Sequence, residues 1–389
     1  MSKEYDAIII GAGSVGCPLA YFLAKEGFKT LVLDKRPASG QGENKAAIGG
    51  VRATHSDPAK IKICQTSLDI FSKWEDKYGV DIGWKKGGYC FPVFREQEEK
   101  VLKSILPIQK SHDLNIDWVD NDRVQEVVPG INSQGLVGGT FSPDDGMVSP
   151  LLATEAFTNA AKDLRVEFQY NQMVKDITVS SSNSVESAKT QTDAFHAPII
   201  VNTAGANARE IGNMTGLELP ITPDSHEAGI SAAVKPFLGP LVVDLRPGPE
   251  GKTSNFYFGQ LSGGQFIFCY TPSKLFIGEN RESTSEFIPI ISRRLVDLIP
   301  KLKNLLIRRV WRGCYPMTPD GVPIVGKAPG IEGLYLGVGM CGQGFMMGPG
   351  TGKNLANIIA KGKPLIEPDV FDLLSPERDF YAEKVETLK

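Results

Sequence analysis

Three glycines and one acid near the N-terminus have the types and spacing to hold a nucleotide. Gly11, Gly13 and Gly16 form G-x-G-x-x-G, and Asp34 follows Gly16 by 18 residues. Gly11 allows a tight turn, Gly13 lets a pyrophosphate approach the backbone, and Gly16 lets a helix and a strand pack closely. The helix that starts there presents unpaired N–H groups and a positive dipole end to phosphate. Asp34 can accept hydrogen bonds from a ribose diol. The alternative is an α/β unit with a glycine turn and no ligand, but the motif's structural context is complete.

A second chemical signal lies near the other end. The run GMCGQGFMMGPGTG at 339–352 is a glycine-rich loop aimed at another helix N-terminus. A nicotinamide-dependent dehydrogenase has no use for it there. A reduced flavin ring does, because negative charge develops at N1 and O2, and backbone N–H groups and a helix dipole stabilise that charge. Between the two loops stand isolated cations and aromatics. Arg52 follows Gly49-Gly50. It could grip a substrate carboxylate as a bidentate fork, or tune a flavin and brace its loop. Tyr257 is either a pocket wall or an ordinary strand aromatic. Arg312 is either a carboxylate anchor or half of an ion pair. His226-Glu227 could carry a general base. The four histidines have no metal-ligand spacing, so no metal site is expected.

The elements that must position these groups can be read from the pattern. An apolar run at 7–10 reads as a buried parallel strand, 18–25 as a helix with Leu19, Phe22 and Leu23 on one face, and 30–33 as a second strand. Asp57-Pro58 opens a helix over 57–77, and Ser149-Pro150 opens another, with Leu152, Ala156, Ala160 and Leu164 following. Residues 96–111 read as a charged amphipathic helix. Residues 166–170 and 173–179 read as a strand pair, with a polar hairpin turn at 180–184. Residues 199–201 lead into a second strand–turn–helix junction at Asn202, Thr203 and Gly205. Four short strands follow between 226 and 270, split by Pro/Gly turns. Residues 286–298 and 301–306 read as helical, 334–338 as a strand and 353–360 as a helix. The alternation of α/β and β-rich stretches implies two interleaved units: 1–83, 143–218 and 312–389 for the nucleotide, 84–142 and 219–311 for the substrate.

Composition narrows the class. The chain has 389 residues, 42 basic against 45 acidic groups and a net charge of −3, so nucleic acid is not an expected partner. Its six cysteines show no C-x-x-C, which suits reduced thiols in a cytoplasm. Residues 7–24 are apolar enough to mimic a leader, but Glu4 and Asp6 precede them and their glycines belong to the nucleotide motif. No transmembrane helix is expected.

Taken together, GAGSVG, GGVR, NTAGAN and WRGCYPMTPDGVPIVG…GMCGQGFMMGPG resemble the FAD-dependent D-amino-acid oxidase (DAO) superfamily, over nearly the whole chain. The branch most similar contains the sarcosine oxidase β-subunit, the proline dehydrogenase β-subunit and glycine oxidase. The resemblance implies a mixed α/β fold, with a Rossmann-like FAD-binding domain of glutathione-reductase type interleaved with an antiparallel-sheet substrate domain. It implies non-covalent FAD, C–N bond oxidation of a small amino acid or secondary amine, hydride transfer to flavin N5 and hydrolysis of the imine. It places Gly11, Gly13, Ser14, Val15, Gly16, Asp34 and Lys35 on the ADP half, and Met173-Val174 on the adenine-side strand. Gly49, Gly50, Val51, Arg52, Thr203, Ala204, Gly205 and Gly313 line the cofactor. Gly342, Gln343, Gly344, Phe345 and Met346 surround the ring, and Arg52, Tyr257, Gln343 and Met346 are the candidate catalytic set.

There are departures from the family pattern. Monomeric sarcosine oxidases place a lysine where Met346 aligns, and often a histidine where Gln343 aligns. That lysine assists the reaction with oxygen, so its absence favours a dehydrogenase that passes electrons to a partner. Those oxidases also attach FAD through a cysteine, and Cys314 falls one position away from it. Lys35-Arg36 could suggest NADP, but the whole-chain pattern favours a solvated charge pair. Two other functions use the same sequence: a flavin subunit that works only within a hetero-oligomeric dehydrogenase, and an oxidoreductase for a 2-hydroxy acid or glycerol phosphate.

Overall fold

The computed structural model describes residues 4–382, so residues 1–3 and 383–389 of the expected nucleotide unit lie outside the described residues. The first unit is built on a six-stranded sheet. Its order is Ile324–Lys327, Leu334–Val338, Ile200–Asn202, Ala7–Ile10, Thr30–Asp34 and Glu167–Tyr170. All neighbours are parallel except the edge strand Ile324–Lys327. Alternation along the central strands decides what each face buries. Ala7, Ile9, Val32 and Val201 point into a core shared with the helices Gly16–Lys25, Pro150–Asp163 and Gly344–Lys361. Ile8, Ile10, Leu31, Leu33 and Ile200 point into a second core. A three-stranded antiparallel sheet, Asp176–Val179, Val185–Lys189 and Ala194–His196, covers that face.

The second unit is an eight-stranded sheet. Its order is Ile307–Met317, Thr222–Ala233, Gln265–Cys269, Phe256–Gln260, Leu241–Asp244, Tyr89–Val93, Gly138–Ser142 and Asp117–Asp120. Only the Leu241–Asp244 and Tyr89–Val93 pair is parallel; the rest are antiparallel. One face buries Phe256, Phe258, Phe266 and Phe268 against the helix Phe287–Leu298. The other carries Tyr89, Phe91, Leu241 and Tyr257. The long strand Ile307–Met317 pairs with Thr222–Ala233 along its length, so a division at 311/312 falls inside one continuous strand.

Several expected elements differ. The last helix starts at Gly344, not at 353. Its glycines, which weaken a helix by propensity, are here a packing surface. A Cβ at Gly348 would lie 2.0 Å from the Ser14 carbonyl oxygen, and one at Gly350 would lie 2.1 Å from that of Ile63. Residues 166–170 and 173–179 are not a pair, because Glu167–Tyr170 joins the parallel sheet and Asp176–Val179 the antiparallel one. The helix expected over 57–77 breaks at Lys73 into Pro58–Ser72 and Trp74–Tyr78. In Pro150–Asp163 the buried face is Ala153, Ala156, Phe157 and Ala161, while Leu152 and Leu164 are exposed. Residues 301–306 hold only a short 3₁₀ turn, Pro300–Leu302.

Candidate active site

The three N-terminal glycines have three different surroundings. Gly11 has φ +111°, and a Cβ there would sit 2.6 Å from the Thr203 carbonyl oxygen. A Cβ at Gly16 would sit 1.9 Å from the Gly11 carbonyl oxygen, so helix and turn touch there. A Cβ at Gly13 would meet nothing within 4 Å. The first and third glycines close the protein on itself, and the middle one faces open space. Thr203 Oγ1 ties the neighbouring junction to this turn by donating to the Ile10 carbonyl at 3.0 Å.

Asp34 accepts from the Ala12 N–H at 2.6 Å through Oδ2 and from the Arg36 N–H at 2.7 Å through Oδ1. Burial pushes its carboxyl up, against the pull of those two donors. The acid therefore anchors the glycine turn as well as facing the cavity. Met173 and Val174 also reach the cavity, from an irregular segment and not from the strand expected there.

At the far end, Cys341 (φ 49°) and Gly342 (φ 80°) turn the chain so that the helix Gly344–Lys361 begins at the cavity. Gly342, Gln343, Gly344, Phe345 and Met346 all line it. Gln343 is buried and its Oε1 has no hydrogen-bond partner among the described residues. Opposite, Gly49 has φ +84°, and a Cβ at Gly50 would strike the Tyr89 hydroxyl at 1.9 Å. Arg52 is buried on the wall, donates to the Thr54 carbonyl and lies 5.8 Å from the Phe91 ring centroid. Behind it, Asp145 accepts from the Ala53 N–H at 3.0 Å. Burial pushes the Asp145 carboxyl up to about 6, against that bond and the Arg52 charge. Val51 and Gly16 sit behind the wall, not on it, while Gly313 and Lys35 line it.

The sheet closes the cavity with Tyr257, Tyr315 and His226. The two tyrosine hydroxyls are 2.8 Å apart, and that of Tyr257 also donates to Cys269 Sγ at 3.0 Å. Burial drives both phenols upward and the Cys269 thiol up to about 12, so all three are neutral donors. The His226 ring stacks on Tyr315, with centroids 4.0 Å apart and planes at 23°. A Cβ at Gly342 would lie 2.5 Å from the Tyr315 ring. Tyr315 thus links the sheet to the glycine-rich loop.

Arg312 is not on the wall; its Nη2 lies 3.0 Å from Glu227 and both are buried, so the ion-pair reading holds. Sequence reasoning missed Tyr315, Tyr89 and Phe91. Tyr315 lies inside the quoted WRGCYPM run and had no signal beyond its place there. Cys314 borders the cavity, and burial pushes its thiol up to about 11.

One cavity of about 410 Å³ connects Gly13 and Asp34 with Gln343 and Tyr257. An elongated nucleotide with an aromatic ring at one end fits this set: open space over Gly13, a helix N-terminus at Gly344 and an unmet acceptor on Gln343.

Comparisons agree with this reading. A family model described as FAD dependent oxidoreductase, DAO, matches residues 6–358. Dimethylglycine dehydrogenase, mitochondrial, of Homo sapiens is 26% identical over 94% of this chain and 44% of its own length. The chain thus spans less than half of that protein. Glycine oxidase of Geobacillus kaustophilus is 24% identical, over 96% of this chain and 97% of its own. The crystal structure of L-proline dehydrogenase from P. horikoshii superposes with a TM-score of 0.89 at 28% identity, covering 97% of this chain and 98% of that one. Among the described residues no helix is long and apolar enough to cross a membrane.

Proposed function

We propose, for a chain that belongs to the DAO family of FAD-dependent oxidoreductases, that it oxidises the C–N bond of a small amino acid or secondary amine of the sarcosine, proline or glycine type. The observation that carries this is the single cavity running from the nucleotide turn to the Tyr257–Tyr315 wall. The names of the relatives, dehydrogenases and oxidases of small amino acids, support the substrate class.

When bound, FAD supplies the hydride acceptor. Gly11, Gly13, Ser14, Val15, Asp34 and Lys35 hold its ADP half, with Gly16 behind them, and Met173 and Val174 border the adenine. Thr203, Ala204 and Gly205 hold the middle. Gly49, Gly50, Gly313 and Gly342–Met346 enclose the ring, backed by Val51. The helix N-terminus at Gly344 stabilises negative charge there. Arg52 holds the substrate carboxylate from one side, and the neutral Tyr257–Tyr315 pair positions the substrate from the other. Cys314 falls one position away from the cysteine that carries FAD in the monomeric sarcosine oxidases, which supports a non-covalent cofactor. Met346, in place of a lysine, favours an electron acceptor other than oxygen. We assign 1–83, 143–218 and 318–389 to the cofactor unit and 84–142 and 219–317 to the substrate unit, because Ile307–Met317 is one strand of the eight-stranded sheet. We place the protein in the cytoplasm, on its six free cysteines.

The test is anaerobic bleaching of the flavin absorbance by sarcosine, L-proline, glycine, D-amino acids and 2-hydroxy acids, followed by air. Rapid bleaching by one amine supports the reading. Bleaching only by hydroxy acids replaces it.

A second reading is a flavin subunit of a hetero-oligomer. One observation favours it: a run of exposed apolar residues, Leu275, Phe276 and Ile277. Flavin that only dithionite bleaches, with activity restored by a co-expressed partner, supports this second reading.

A further inference from the structure

A second hollow, of about 300 Å³, lies where three helices end: Gly16–Lys25, Trp74–Tyr78 and Gly344–Lys361. Lys25, Lys73, Lys77, Lys353 and Lys361 line it, against Glu26 and Asp69. Lys73 is paired with Asp69, and Lys361 with Glu26 at 2.7 Å. Lys25, Lys77 and Lys353 have no acidic partner within 4.0 Å among the described residues. Lysines at helix ends balance the negative end of the dipole, which is the plain explanation for Lys25, Lys77 and Lys361. The magnitudes exceed that need. The lining side chains carry three more positive charges than negative ones. Three helix ends offset roughly half a charge each, so a surplus positive field remains.

The same hollow has apolar walls. Phe22, Ile70 and Trp74 line it, and so does Leu365, which is 49% exposed. Apolar residues among charged ones are the anatomy of a protein–protein contact, and the small size suits a transient encounter of the electron-transfer kind. The hollow also leads inward. Trp74 packs on Tyr78 with ring centroids 4.4 Å apart, and it shares one buried cluster with Phe71. The Phe71 ring centroid lies 5.4 Å from that of Phe345, which lines the substrate cavity where the flavin ring is assigned. The helix Gly344–Lys361 joins the two places directly. At 1.5 Å per residue, Lys353 lies about 12 Å along it from Phe345.

We propose that this basic hollow is the docking surface for an acidic electron-carrier protein that takes the electrons of the oxidation. This rests on the C–N oxidation reading and on an electron acceptor other than oxygen. Oxidation of one C–N bond to an imine releases two electrons and two protons. The two electrons reduce the redox centres of the carrier, and the protons pass to water. The carrier does not enter the substrate cavity. The electrons cross from the Phe345 end of that cavity through Phe71 and the packed helix to the hollow. Lys25 and Lys77 are exposed and Lys353 is half-buried, so their charges face solvent and steer an acidic surface toward the hollow. Salt screens such steering.

The probe is cytochrome c with its lysines succinylated, an acidic haem protein; unmodified cytochrome c, which is basic, is the control. Calorimetry measures the binding of each to the oxidised holoenzyme at low and high salt. Haem absorbance then follows electron transfer without oxygen, with whichever amine of the panel bleaches wild type. The succinylated probe should bind at low salt and be reduced at least tenfold faster than the control, and both differences should fade as salt rises. The combined variant Lys25→Gln, Lys77→Gln, Lys353→Gln should lose roughly tenfold in affinity and in haem reduction. Its melting temperature and its bleaching by the amine should match wild type. Arginine at the same three positions should restore both losses. Equal binding of the two probes overturns the proposal, as does a glutamine variant that binds the succinylated probe like wild type. So does tripolyphosphate that raises the melting temperature of wild type alone while the succinylated probe fails to bind, which would make the hollow a small-anion site. If no amine bleaches wild-type flavin, the C–N reading falls while binding still decides the docking surface, so the two failures are distinguishable.

Discussion

Tyr257 and Tyr315 bring their hydroxyl oxygens to 2.8 Å although two strands, Thr222–Ala233 and Gln265–Cys269, lie between their own. Cys269 fills the gap, accepting from Tyr257 and donating to the Glu227 carbonyl at 3.0 Å. The chain of donors therefore runs from Tyr315 through Tyr257 to a backbone acceptor. Tyr257→Phe removes its middle link and leaves the Tyr315 hydroxyl to find another partner. A buried neutral hydrogen bond contributes about 1 kcal/mol, so bleaching by the amine should slow, or its KM rise, by roughly five- to tenfold with FAD retained. Unchanged constants would make the pair simple core packing.

The first-turn glycines separate folding from cofactor binding. Gly16→Ala places a methyl 1.9 Å from a backbone oxygen that cannot move away, and should cost on the order of 2–4 kcal/mol of stability. Gly13→Ala meets no protein atom within 4 Å. The apo form of Gly13→Ala should melt with wild type while its FAD affinity falls at least tenfold, since the methyl occupies the space a pyrophosphate needs. Thermal melts with and without added FAD separate the two effects. A Gly13→Ala protein that binds FAD normally would move the phosphates away from this turn.

Arg52 is buried, donates to the Thr54 carbonyl and still borders the cavity. Lysine keeps the charge but not the planar fork. Arg52→Lys should therefore raise KM for the amino acid by more than tenfold while flavin stays bound. Steady-state kinetics with the best amine of the panel measures this. An unchanged KM would make Arg52 a brace for the 49–54 loop.

Much of this was legible because it is written in local sequence. The strand 7–10, the glycine turn and Asp34 form one continuous supersecondary unit, and its periodicity reports both the fold and the ligand. The start of the last helix was not legible. Gly348, Gly350 and Gly352 argue against a helix by propensity, and only the close approach of Ser14, Ile63 and Leu19 explains them. Tyr315 was hidden as a wall residue, and His226, weighed there as a general base, had no local signal that fixed its face. Each is one residue in a strand, and which face it shows depends on the pairing of Asp224 with Tyr315 and of His226 with Gly313, a register no local pattern states.

Asp145 gives stability a pH dependence whose sign differs from that of an ordinary paired carboxylate. Burial raises its pKa in the folded state to about 6 from the ordinary carboxylate value of 3.8. The folded chain therefore holds this proton more tightly than the unfolded chain does. The associated stability is fully present below about 3.8, declines as pH rises, and is gone above about 6. The difference between the folded and unfolded values corresponds to about 3 kcal/mol. Asp145→Asn has no proton to lose there and keeps an acceptor for the Ala53 N–H. The apparent melting temperature of wild type minus that of Asp145→Asn should thus fall between pH 4 and pH 6.5 and then level off. Parallel melting curves across that range would mean that the Arg52 charge holds Asp145 ionised throughout. In that case the buried pair, not a neutral acid, supports the loop under the active site.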